Sequence, residues 1–310
     1  LYKSKYKDTF VTVIKKIIYM KIIVSGSLGN IGKPLTEKLI GAGHDVTVIS
    51  SDLNKKAAIE NLGAKAAIGS VSDSTFLTET LKGADALFAM TPPNLGGQNV
   101  IANTTEAGNA FAKAIAATNI KRIVMLSSIG ADLPTGNGPI AGLYNIEKLY
   151  NELNTSITFL RAGYFYTNFY NDVPMIKGAG IMGGNFPSDA KIPLVHPADI
   201  AQAATEELEK TPSGKNIRYI ISDVRTPEDL AKVLGTAIDK SDLPWIEFTD
   251  EQSLQGMAQA GIPEEIAKLY AEMGTGLRNG KIAEDFLKSN LSVDGKTKLE
   301  DFAKEFASKF

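Results

Sequence analysis

The chain has 310 residues, 44% of them apolar and 22% charged, and a formal net charge of −2. That balance belongs to a folded globular protein and gives no electrostatic reason to bind nucleic acid. It has no cysteine and only two histidines, His44 and His196. This excludes disulfides, thiol catalysis, and cysteine or histidine-rich metal centres, and fits a reducing, cytoplasmic setting.

The first nineteen residues carry five lysines and one aspartate. Their apolar runs are broken by Lys15 and Lys16, so the segment is too short and too charged to span a membrane. It also lacks the cleavage site of a signal peptide. We read 1–19 as a basic N-terminal extension upstream of a natural start at Met20; a surface-binding arm and a structured extension are the alternatives.

Residues 21–52 come next. The apolar run Ile22–Val24 leads into Gly26, Gly29 and Gly32, then an amphipathic segment, then the apolar run Val46–Ile49. Strand, glycine turn, helix and strand make the first unit of a dinucleotide-binding fold. Gly26 would turn the chain out of the strand, Gly29 would bring backbone N–H groups to a pyrophosphate, and Gly32 would let helix and strand pack closely. The helix N-terminus, with roughly half a positive charge, would face the phosphates. The whole turn, Gly26, Ser27, Leu28, Gly29, Asn30, Ile31 and Gly32, is therefore a candidate cofactor cradle.

The alternation continues. Ala64–Ile68, Ala86–Met90, Arg122–Leu126 and Ile157–Arg161 read as strands. Ser74–Leu81, Val100–Ala117 and Leu143–Leu153 read as helices. This predicts an α/β fold, a doubly wound parallel sheet whose strand C-termini line one edge, where ligands bind. Past Arg161 the pattern loosens. Gly178–Ser188 is a glycine-rich loop, Ile192–Val195, Ile217–Ile221 and Trp245–Phe248 are short strand candidates, and Pro197–Leu208, Thr226–Ile238, Ile262–Glu272 and Lys298–Ser308 read as helices. We expect a Rossmann domain over 20–160 and a smaller α+β substrate-side lobe over 161–310 that does not fold independently.

Several stretches together resemble the NmrA-like branch of the atypical short-chain dehydrogenase/reductases. They are VSGSLGNIGKPL (24–35), Thr91-Pro92-Pro93-Asn94, VMLSSIGAD (124–132), GPIAGLYNIEKLYNEL (138–153), TFLRAGYFYTN (158–168) and IPLVHPADIAQAA (192–204). The resemblance covers about 20–310. It implies a Rossmann-like fold with a small C-terminal lobe, NADP(H) or NAD(H) binding, and work as a reductase or a redox-sensing regulator.

Where an NAD-preferring site carries an acid after the second strand, this chain has Ser50-Ser51, with Lys55 and Lys56 close behind. Hydroxyls and ammonium groups suit a 2′-phosphate, so NADP(H) is favoured over NAD(H). Thr91, Pro92 and Ser127, at strand ends, are further cofactor candidates.

Classical short-chain dehydrogenases place a tyrosine and a lysine four residues apart on one helix face, with a serine at the fifth strand. Tyr144, Lys148 and Ser127 are the matching candidates here. Relatives often carry histidine where Tyr144 stands, with Glu147 kept. Tyr164, Phe165 and His196 are expected to line the substrate cleft.

The primary expectation is hydride transfer to a small quinone, enone or carbonyl, with no nucleic-acid, membrane or metal partner. The alternatives are a non-catalytic NADP(H) sensor with a protein partner, and an epimerase or dehydratase that keeps its cofactor bound.

Overall fold

The structure, a computed structural model, describes residues 19–93 and 96–310. The expected basic extension, apart from Tyr19, and Asn94 of the Thr-Pro-Pro-Asn turn lie outside the described residues.

Strands β1 (Lys21–Val24), β2 (Asp45–Ser50), β3 (Lys65–Ile68), β4 (Ala86–Ala89), β5 (Arg122–Ser128) and β6 (Ser156–Ala162) alternate with helices. The helices are α1 (Gly32–Gly41), α2 (Lys56–Asn61), α3 (Ser74–Leu81), α4 (Val100–Thr118) and α5 (Ala141–Asn151). The rest of the chain supplies β7 (Tyr164–Phe165), α6 (Val173–Ala179), β8 (Met182–Gly184), β9 (Ile192–Val195), α7 (Pro197–Glu209), β10 (Lys215–Ile220) and β11 (Asp223–Arg225). It ends with α8 (Pro227–Ala237), β12 (Trp245–Glu247), α9 (Asp250–Gln259), α10 (Glu264–Arg278), α11 (Lys281–Lys288) and α12 (Leu299–Ala307).

The main sheet is parallel, in the order β10-β6-β5-β4-β1-β2-β3. Alternation sends Ile22 and Val24 to one face, against Leu35 and Leu39 of α1 and Ile200 and Ala204 of α7. It sends Ile23 and Leu87 to the other, against Leu77, Phe111 and Ile146 of α3, α4 and α5. Burial on both faces explains the unbroken apolar runs of β1 and β4.

The structure departs from a division at residue 160. β10 pairs with β6 from Lys215↔Ile157 to Ile220↔Ala162, and α7 packs on α1. The seventh strand and one covering helix therefore come from the segment expected on the substrate side. The remaining lobe has its own core, with Tyr166, Leu194, Leu230, Phe302 and Phe306. A further cluster, Ile129, Ile140, Leu277, Ile282 and Phe286, joins α10 and α11 to the end of β5. No helix among the described residues is long and apolar enough to cross a membrane.

Candidate active site

The strand order reverses between β1 and β4, and the crevice of an open α/β sheet lies outside the strand ends at that point. Ser25 fastens the two ends together. Its buried hydroxyl accepts from the Met90 N–H at 2.7 Å and contacts the Met90 carbonyl at 3.0 Å.

The glycine turn follows. Gly26 has φ +101°, and a Cβ there would lie 1.8 Å from Met90 Cε. A Cβ on Gly32 would lie 2.1 Å from the Ser27 carbonyl oxygen, so α1 starts against the turn only because that side chain is absent. On Gly29 a Cβ would meet nothing nearer than the Gly26 carbonyl, at 3.4 Å. The space above Gly29 is open. α1 begins beside it with no side-chain cap and no acid in its first turn. An uncapped helix start and an open glycine form a cradle that fits an anion.

At the end of β2 the two serines separate. Ser50 is buried, and its hydroxyl accepts from Ser27 Oγ at 3.1 Å and the Asp52 N–H at 3.2 Å while donating to the Asp52 carbonyl at 3.3 Å. It has no proton left for a ligand, contrary to the expectation that both serines face a 2′-phosphate. Ser51 and Lys55 are exposed. The Asp52 carboxylate is held in its own turn by the Asn54 N–H at 2.9 Å.

Beyond the turn lies an apolar cleft of about 300 Å³. Met90, Thr91, Pro92, Leu126, Ser127 and Ser128 supply its strand-end wall, and Val100, Thr104 and Leu143 its helical wall. Tyr164, Phe165 and Asn168 follow from the chain beyond β6, and Tyr270, Met273, Leu277 and Ile282 close it from α10 and α11. Two carboxylates fasten α10 across it. Glu265 accepts from the Asn99 and Val100 N–H groups at 2.6 and 2.8 Å, at the start of α4, and Glu272 from the Gly136 N–H at 2.6 Å.

Tyr144 and Lys148 do share one face of α5, with Lys148 Nζ 5.7 Å from the Tyr144 ring centroid. That face is not the one on the cleft. Leu143 lines the cleft, and Tyr144, about 100° further round the helix, does not. Lys148 is exposed. Tyr144→Phe is accordingly expected to change any turnover number by less than about twofold, the ordinary effect of a substitution away from a site; steady-state kinetics checks it.

Ser127 lines the cleft, but its hydroxyl donates to Glu147 Oε1 at 2.5 Å. Arg161 holds Glu147 through Nε and Nη2, at 3.1 and 2.7 Å, and its Nη1 reaches Tyr219 of β10 and Asp285 of α11 at 3.2 and 3.0 Å. Burial disfavours the Arg161 charge, but the bonds and charge of Glu147 outweigh it and hold the pKa above its ordinary value.

His196 is not in the cleft. It caps α7, accepting from the Ala198 N–H at 3.1 Å, with Nε2 3.4 Å from Glu305. Sequence reading missed Ser25, Leu143, Tyr270 and the Glu147–Arg161 pair. The one available signal was Arg161 itself, a charge inside the apolar run of a central strand.

The NmrA-like family model matches residues 19–296. An NAD(P)H azoreductase of Xenophilus azovorans is 25% identical over 256 residues, 81% of this chain and 85% of the relative. Among solved structures, an NADPH-dependent quinone oxidoreductase of Escherichia coli, complexed with NADPH, superposes with a TM-score of 0.78 at 20% identity, covering 92% of this chain and 99% of the other. A triphenylmethane reductase of Citrobacter superposes at 0.76 and 19% identity, covering 93% and 99%. At these identities the structural likeness is one of fold.

Proposed function

Because the chain belongs to the NmrA-like family, we propose that it is an NAD(P)H-dependent reductase acting on a small, flat, apolar quinone, enone or carbonyl compound. The carrying observation is that Met90 borders both the anion-fitting glycine turn, against Gly26, and the apolar cleft at the strand ends. The azoreductase and quinone oxidoreductase likenesses support it.

A nicotinamide coenzyme supplies the hydride chemistry when bound. The chain's part is binding, orientation and exclusion of water. In this reading the Gly26–Gly32 turn and the start of α1 hold the pyrophosphate, with Ser27, Leu28, Asn30 and Ile31 shaping the turn. Thr91, Pro92 and Ser127 border the path toward the cleft. The Ser127 hydroxyl points its hydrogen at Glu147, so it offers the cleft an acceptor, suited to an amide N–H rather than a substrate carbonyl. Tyr164 and Phe165 flank an aromatic acceptor.

NADP(H) is favoured because Ser51 and Lys55 are exposed where a 2′-phosphate would lie, and Asp52 is tied to Asn54. Ser51→Asp is expected to weaken NADPH relative to NADH by about tenfold or more, through repulsion of the added phosphate. Lys55→Ala is expected to weaken NADPH alone. Fluorescence titration with both nucleotides reads the ratio, and an unchanged ratio would move the phosphate contact elsewhere. The proposal as a whole is tested by mixing the protein with NADPH and a panel of quinones, enones and aldehydes and following loss of nicotinamide absorbance.

A further inference from the structure

A nicotinamide and its acceptor must share the cleft, and the following rests on the reductase reading. At about 300 Å³ the cleft lies at the lower end of the range for small-molecule sites, roughly 300–1,000 Å³. A large acceptor therefore requires a wall to move, and the walls are not equally fixed. Strands β4 and β5 and helices α4 and α5 are seated in the main core. The later part of α10 is pressed against its neighbours. A Cβ on Gly276 would lie 2.5 Å from the Gly136 carbonyl oxygen, and one on Gly274 1.7 Å from Asn185 Oδ1.

The start of α10 is held differently. From Asp250 through Glu265, which takes in all of α9 and its turn into α10, no residue is buried. At one end of this stretch Asp250 is tied to Arg278 at 2.9 and 3.1 Å and to Asn185 at 2.8 Å. At the other end Glu265 reaches the first turn of α4. Its Oε2 accepts from the Asn99 N–H at 2.6 Å and its Oε1 from the Val100 N–H at 2.8 Å. α4 has no cap of its own, because Asn99 takes φ +51° and its side chain makes no cap bond. Glu265 supplies that cap from another helix, with its negative charge where the helix dipole favours it. Val100 also lines the cleft, as do Tyr270 and Met273 just beyond Glu265. The contact therefore joins two walls of the cleft.

We propose that Glu265 is a latch that sets the size of acceptor the cleft admits. With the carboxylate on α4, Tyr270 and Met273 stay in place and the cleft takes a one-ring acceptor beside the nicotinamide. With it released, α9 and the start of α10 swing about the Asp250–Arg278 contact and admit larger ring systems. Glu265 is half-buried and Asn99 exposed, so water replaces the bonds when they part and the latch can close again.

Benzoquinone, naphthoquinone and phenanthrenequinone, of one, two and three rings, test this in steady-state kinetics with NADPH. The wild-type kcat/KM is expected to fall at least about tenfold from the first to the last, and Glu265→Ala to shrink that ratio to about threefold or less. Glu265→Gln keeps an acceptor oxygen but not the charge; its ratio is expected to fall between, and it carries the test if the alanine variant does not fold. Amide hydrogen exchange reads the latch without turnover. In Glu265→Ala, exchange in the first turn of α4 and at 264–270 is expected to quicken at least about tenfold, with β5 unchanged. A wild type that reduces all three quinones alike, or a ratio unmoved in both variants, overturns the size-selecting role. Exchange that stays at the wild-type rate overturns the latch itself. Protein that binds NADPH but reduces no quinone overturns the reductase reading and size selection with it, while exchange still decides whether Glu265 holds the wall.

Discussion

Gly32→Ala is expected to weaken NADPH binding by at least about 100-fold, or about 2.7 kcal/mol. The added methyl would sit 2.1 Å from the Ser27 carbonyl oxygen and 3.3 Å from that of Gly26. Both are backbone atoms, so the turn itself must move, and with it the geometry offered to a pyrophosphate. Gly29→Ala separates binding from folding. Its methyl meets only the Gly26 carbonyl, at 3.4 Å, so thermal unfolding should be unchanged while the space assigned to the phosphates is filled. Nucleotide titration beside thermal unfolding reads both variants. A Gly29→Ala protein that binds NADPH as wild type does would remove the pyrophosphate from this turn.

Arg161→Leu is expected to cost about 3–5 kcal/mol of stability, the range for breaking a buried ion pair by removing one partner. Arg161 is 6% exposed and Glu147 5%. The substitution strands the Glu147 carboxylate in the interior and releases Asp285 of α11 from its guanidinium contact. Adding Glu147→Leu removes the stranded charge, so the double variant should recover part of the loss. Urea unfolding measures all three proteins. A single-variant loss below about 1 kcal/mol, the worth of an exposed pair, would contradict the buried pair. The stability lost is also a loss of order at the cleft, because Ser127 rests on the same carboxylate.

The β1–turn–α1–β2 unit was legible because its signals are local: apolar strands, glycines at fixed spacing and an amphipathic helix. Most of the parallel sheet was legible for the same reason. The rotation of α5 was not. It is set by close packing on α4, where a Cβ on Gly108 would lie 2.4 Å from Ile146 and one on Gly142 would lie 2.9 Å from Thr104. A spacing of four residues shows that Tyr144 and Lys148 share a face, but not which way that face points. The role of α10 was equally hidden, since its carboxylates reach backbone groups 166 and 136 residues earlier in the chain. β10 was recognised as a strand, but its partner β6 lies beyond an intervening lobe. Ser50 and Ser51 differ in burial for a local reason: one ends β2 and the other begins the exposed turn.

In the proposed reaction this cleft passes hydride from a bound nicotinamide to an apolar acceptor. Its most direct test is a single turnover: protein loaded with one equivalent of NADPH, mixed with a quinone or enone, and compared with the same reaction of NADPH deuterated at the transferred position. The bound coenzyme is expected to be oxidised only when the acceptor is present, and more slowly when deuterated. Coenzyme that binds tightly and survives every acceptor would contradict it and leave the chain a sensor of its cofactor.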